Sequence, residues 1–147
     1  MSPDNILANI SEIEIVSLTI YGEARGESIL GQIAVGCVIR NRAIKNDESY
    51  QNICLKPKQF SCWNPGDNNR ALLIDLATKM IHNEDINEQV LNQCVFIAGG
   101  IVNESIMDIT HGATNYLTEH LFNTSRPSWA LNPINVRQVD SQIFFNV

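Results

Sequence analysis

Two glutamates and an arginine stand within the seven residues Tyr21-Gly22-Glu23-Ala24-Arg25-Gly26-Glu27. A carboxyl group held away from bulk water can hand a proton to a leaving oxygen and take one back, which is general acid–base chemistry. Such a site has to be built by its neighbours. Upstream, Ser11 and Glu14 form an S-x-x-E capping box, and Ile10 and Ile15 occupy the staple positions that fix a helix entry, so a helix is predicted over Ser11 to Ile20. Downstream, Ile29, Leu30, Ile33, Ala34, Cys37 and Val38 recur at three- and four-residue steps, which predicts a second helix from about Ser28 to Ile44. Glu23 is then expected at the junction, close to apolar surface and to the C-terminus of the first helix. From spacing alone, a polar helix–helix turn with solvated glutamates is the commoner arrangement, because acidic turns are frequent and perturbed carboxylates rare.

The chain has 147 residues, is 44% hydrophobic and 18% charged, and fits one globular domain spanning 1–147 with a single core. With a formal charge of −6 it lacks the basic surface that displaces counterions from nucleic acid, so no nucleic-acid partner is expected. Apolar runs break well short of the roughly 18 residues of a membrane span, and no membrane insertion is expected. Met1 to Ile10 carries Asp4 and no basic stretch followed by an apolar one, so it does not read as a secretory signal. The expectation is a protein made in a cytoplasm, with its cysteines free. Cys37, Cys54, Cys62 and Cys94 form no C-x-x-C pair near histidines, and no metal or cofactor is expected.

Several further elements are legible. Gly31 and Gly36 cost the second helix roughly 1 kcal/mol each against alanine, which implies that something packs close to its backbone. Arg40, Arg42 and Lys45 read as a solvated, dipole-matched helix end. Lys45 to Asn69 reads as loop. Inside it, Gln59-Phe60-Ser61-Cys62-Trp63 interleaves aromatic rings with polar groups, suited either to a sugar-binding wall or to a core plug under the loop. Asn69 to Asn83 is a helix with Leu72, Leu73, Leu76, Ala77, Met80 and Ile81 as its stripe. Asp85-x-x-Glu88 resembles a second capping box ahead of another helix, weakened at Gly99-Gly100. Segments within Ile109 to Leu117 and Gln138 to Phe145 read as two or three short antiparallel strands, with an irregular loop over Asn123 to Ala130 between them. The expected class is α+β, mainly helical, with a small antiparallel sheet in the C-terminal third.

Taken together the blocks resemble the spore cortex-lytic (SleB-type) cell wall hydrolase family. The resemblance rests on Gly22-Glu23-Ala24-Arg25-Gly26-Glu27, Gly31-Gln32-Ile33-Ala34-Val35-Gly36, Asn41-Arg42, Gln59-Phe60-Ser61-Cys62-Trp63, Gly112-Ala113-Thr114-Asn115-Tyr116 and Pro127-Ser128-Trp129-Ala130, with Ile143-Phe144-Phe145 as the closing strand. It runs in order from about Ile13 to Phe145. It implies a lysozyme-like catalytic domain whose partner is the peptidoglycan glycan strand, cut at the β-1,4 bond between N-acetylmuramic acid and N-acetylglucosamine to leave a 1,6-anhydro end. It also implies that Glu23 is the catalytic acid and that Tyr116 contacts it or the oxocarbenium-like centre. Many members carry histidines beside that tyrosine, whereas Asn115 and Leu117 flank it here.

On this reading Glu27, Gln59, Phe60, Ser61, Trp63, Asn115 and Trp129 are the expected substrate-binding residues. A hydrolytic muramidase with a second carboxylate, a non-catalytic glycan-binding module and an adaptor using the aromatic loops are the competing readings. A monomeric phage endolysin, acting on the wall after release, is the expected setting.

Overall fold

The computed structural model describes all 147 residues as seven α-helices and three β-strands. The first helix, α1 (Pro3–Asn9), was not foreseen. Ser2 caps it by accepting from the Asn5 amide, Pro3 opens it, and Ile6 and Leu7 are buried. The capping box of Ser11 and Glu14 opens α2 (Glu12–Ala24), and the staple residues Ile10 and Ile15 are both buried. This helix is the axis of the molecule. Every residue from Ile15 to Tyr21 is buried, so no polar face marks its end in the pattern, and it runs on through Glu23. Its buried Ser17 and Thr19 hydroxyls donate to the carbonyls of Ile13 and Ile15, which removes the cost of burying them.

The second predicted helix is α3 (Ile29–Asn46), capped by Ser28. It crosses the later helix α6 (Gln89–Val102) closely. A Cβ on Gly36 would lie 2.8 Å from Ile101 Cγ1, which is the close approach its glycines imply. Arg40 and Arg42 correct the expectation of a solvated end. Arg40 is buried and donates to the Ile101 carbonyl, and Arg42 Nε donates to the Thr114 carbonyl at 2.7 Å. Lys45 stays exposed in the last turn.

The expected loop after α3 folds further than its composition suggests, into α4 (Tyr50–Leu55) and a short 3₁₀ turn at Ser61–Trp63. Asp67 caps α5 (Asn68–Ile81), whose Leu73, Leu76 and Ala77 are buried while Leu72 is exposed. No capping box precedes α6, because Glu88 is itself the cap and accepts from the Val90 and Leu91 amides. The helix passes through Gly99-Gly100 without ending.

The sheet has the order β1 (Asn115–Thr118), β3 (Gln142–Asn146), β2 (Ile134–Val139), all antiparallel. The run Gln138 to Phe145 straddles a hairpin. Asp140 takes a left-handed backbone there and the strands reverse over Asp140 and Ser141. Central β3 is buried on both faces, with Phe144 in the main core and Ile143 and Phe145 in a smaller cluster with Phe122 and Ala130. Part of the expected loop between strands is α7 (Glu119–Thr124), followed by a 3₁₀ turn at Ser128–Ala130. The architecture is thus α+β, helical with a small C-terminal antiparallel sheet. No helix is long and apolar enough to cross a membrane.

Candidate active site

Glu23 sits in the last turn of α2, and its partly buried carboxylate is held by groups from two distant parts of the chain. The 3₁₀ turn after α4 aims the Cys62 amide at Oε2 from 3.0 Å, and the Ser61 hydroxyl donates to the same oxygen at 3.3 Å. From β1, the Tyr116 hydroxyl donates to Oε1 at 2.6 Å. Both oxygens are therefore fixed in place.

Each donor has its own scaffold. Gly22 lets the 3₁₀ turn lie on α2, since a Cβ there would come within 2.7 Å of Cys62 Cβ and 2.8 Å of Leu73 Cδ1. Tyr116 faces Phe144 across the β1–β3 ladder, with ring centroids 5.5 Å apart. The loop leading into β1 is tied to α3. Asn41 Nδ2 donates to Asp108 Oδ2 at 3.1 Å and to the Ala113 carbonyl at 2.9 Å. Asp108 also accepts from the Thr110 and Gly112 amides. Burial raises the Asp108 carboxyl, but these donors outweigh it and hold it below its ordinary value.

Burial first, and then the Glu23 charge, push the Tyr116 phenol well above its ordinary value, so it stays a neutral donor. Burial pulls Arg42 down from its ordinary value, against the stabilising pull of Tyr116 and Glu23. It remains the cation behind the pair, lying over the Phe60 ring at 4.8 Å.

An open cleft of about 470 Å³ exposes this arrangement. Of the residues expected there, Glu23, Tyr116, Gln59, Ser61, Asn115 and Trp129 all line it. Trp129 is 52% exposed and stacks on Phe145 at 6.0 Å, so a broad aromatic face is presented on a rigid backing. Asn115 and Leu117, the residues that flank Tyr116, line the same cleft.

Three expected residues lie elsewhere. Phe60 is 1% exposed and belongs to the core beneath Arg42. Trp63 is 7% exposed, and its indole N–H is spent on the Thr19 hydroxyl at 3.0 Å, inside the helical core. In the same block Phe60, Cys62 and Trp63 are buried while Gln59 and Ser61 are exposed. Glu27 does not line the cleft either. It accepts from the Ser141 hydroxyl in the β2–β3 hairpin, beside the contact of Asp140 with Ser28, and so ties the hairpin to the start of α3. The sequence reading missed Arg42 and Lys58 as cleft residues. Arg42 had a signal, since Asn41 and Arg42 continue the inward stripe of Cys37 and Val38 by four residues. Lys58, in a loop with a left-handed backbone, had none.

The description Cell Wall Hydrolase belongs to a family model that matches residues 26–145, beginning just after Glu23. The catalytic domain of the germination-specific lytic transglycosylase SleB from Bacillus anthracis shares the fold. It superposes with a TM-score of 0.62 at 22% identity, covering 94% of this chain and 98% of that one. No curated protein sequence matches. The family match spans most of the chain, including every residue of the cleft lining except Glu23, and the chain belongs to the cell wall hydrolase family.

Proposed function

We propose that this protein is a peptidoglycan lytic transglycosylase in which Glu23 is the sole acid and base. One observation carries the reading: Glu23 is the only carboxylate lining the cleft, and three donors fix its position. The SleB domain that shares the fold is described as a lytic transglycosylase, which agrees with it. Two-carboxylate hydrolysis would need a partner acid about 5–9.5 Å across the scissile bond, and the cleft lining offers none.

On this reading the reaction runs through two proton transfers at Glu23. Protonated Glu23 gives its proton to the glycosidic oxygen as the bond from C1 of the muramic sugar breaks. Positive charge grows at C1 and the ring oxygen. The C6 hydroxyl of the same sugar closes on C1, and the Glu23 carboxylate takes its proton, which restores the acid. No water is consumed. Tyr116 stays neutral and so anchors Oε1 in both protonation states, while the exposed Ser61 hydroxyl can rotate from donor to acceptor when Oε2 carries the proton. Trp129 offers its face to a neighbouring pyranose, and Gln59 and Asn115 offer amides to sugar hydroxyls.

Mass spectrometry of digested peptidoglycan tests this directly. Anhydro-muramic ends are expected, and reducing ends that incorporate ¹⁸O from solvent would replace the transglycosylase with a hydrolytic muramidase. The endolysin setting is part of the proposal. Cytoplasmic expression is expected to lyse cells only when a membrane-permeabilising holin is supplied, and lysis without one would exclude dependence on such release.

A further inference from the structure

A second cleft, of about 560 Å³, adjoins the catalytic one and shares Lys58 with it. Its wall combines Leu55, Trp63 and Pro65 with Lys56, Lys58 and Arg70, while Asp4 and Glu48 line the adjoining cavity that shares Lys56 and Arg70. Three of the chain's ten basic residues thus face one cavity in a protein of net charge −6. Neither Lys58 nor Arg70 takes part in a salt bridge, and Arg70's one side-chain hydrogen bond uses Nε, on the Trp63 carbonyl. Lys56 is shared with Glu48 at 3.5 Å. Lys58 has a left-handed backbone, φ 66°, and lies at the junction of the two clefts.

The N-acetylated sugars of a peptide-bearing strand are uncharged and give such a cavity nothing to pair with. The peptide branch on the muramic lactyl group is the charged part of the polymer, bearing free carboxylates close to the strand. We infer that the Lys56–Lys58–Arg70 cleft binds a carboxylate-bearing peptide branch of the strand whose sugars occupy the Glu23 cleft. This rests on the peptidoglycan reading above. Lys58 stands between sugar and peptide, and the cationic wall then selects strands with acidic peptide branches over strands whose branches are amidated.

Amide-resolved NMR titration of the intact protein with a synthetic acidic stem peptide tests it without needing cleavage. The expected shifts fall on residues 55–65 and 70, and Lys56→Gln and Arg70→Gln each weaken binding about two- to fivefold, the range for a partly exposed charge pair. The same peptide with its carboxylates amidated is expected to lose most of its affinity. Equal binding of the amidated peptide, or shifts centred elsewhere, would overturn the proposal. In parallel, kcat/KM on strands bearing acidic peptides is expected to exceed that on the same strands with their peptide carboxylates amidated, and the ratio should fall in both variants. A ratio of one for the unsubstituted protein would also overturn it. Peptide binding in this cleft with no cleavage of either strand would sink the transglycosylase reading and leave the binding site standing.

Discussion

The Tyr116 hydroxyl lies 2.6 Å from Glu23 Oε1, closing a contact between residues 93 apart in sequence. It ties the end of the central helix to the first strand of the sheet, so the Glu23 carboxyl is positioned by both halves of the fold. Tyr116→Phe removes the donor but leaves the ring against Phe144. We expect kcat to fall on the order of 10²-fold, as for loss of one preorganised donor. Stability should drop by only about 1 kcal/mol. An unchanged kcat would reduce Tyr116 to a structural residue.

Gly22 supports the other side of the carboxylate. Gly22→Ala would drive a methyl into Cys62 and Leu73, displacing the turn that aims the Cys62 amide at Glu23. Overpacking of this kind costs about 1–3 kcal/mol. Activity should fall more than the melting temperature alone explains, measured well below the transition. A destabilised variant with full activity at low temperature would show that the amide contact is dispensable.

The two tryptophans should now behave differently. Trp129→Ala removes an exposed stacking face and should weaken glycan binding by about 1–3 kcal/mol while the fold persists. Trp63→Ala empties the core and removes the donor to the Thr19 hydroxyl, costing about 3–5 kcal/mol of stability. Calorimetry with a glycan titration separates them. A stable Trp63→Ala protein that binds poorly would return Trp63 to the groove.

These outcomes show which parts of the site were legible. The capping box at Ser11 and the stripe of α3 place Glu23 at a helix end, because caps and periodicity are local. The continuation of α2 to Ala24 was hidden, since a helix buried all round shows no amphipathic boundary. Tyr116 could be reached only through the family resemblance, as no local pattern pairs residues so far apart. The segment Gln59 to Trp63 was ambiguous for a physical reason: aromatic rings suit a sugar wall and a core equally. Only the position of Thr19 on the facing helix decides for Trp63.

Alkaline pH should weaken the fold through its buried thiols. Burial pushes Cys37 up to about 11, Cys54 and Cys94 up to about 12, and Cys62 higher still, from an ordinary 9.0. Burial, then Glu88, takes Tyr21 to about 12 from 10.0. Raised folded values mean that the stabilisation is complete below about pH 9. It is lost as pH rises towards 12, because the unfolded chain gives up these protons first. Under reducing conditions the melting temperature should therefore fall steadily above pH 9. A flat profile to pH 11 would contradict this burial of the thiols.

The central claim is that one carboxyl does both proton transfers. Glu23→Gln keeps the shape, and the amide can still be satisfied, its oxygen accepting from the Cys62 amide and its NH₂ donating to a rotated Tyr116 hydroxyl. The melting temperature should stay close to that of the unsubstituted protein. Glu27→Gln, at the hairpin tie to Ser141, should chiefly affect stability. The decisive measurement is the rate of release of anhydro-muropeptides from purified walls by these two variants beside the unsubstituted protein. The account predicts a loss of at least about 10²–10⁴-fold for Glu23→Gln and a small loss for Glu27→Gln. Near-normal release by a folded Glu23→Gln protein, or equal large losses from both, would contradict it.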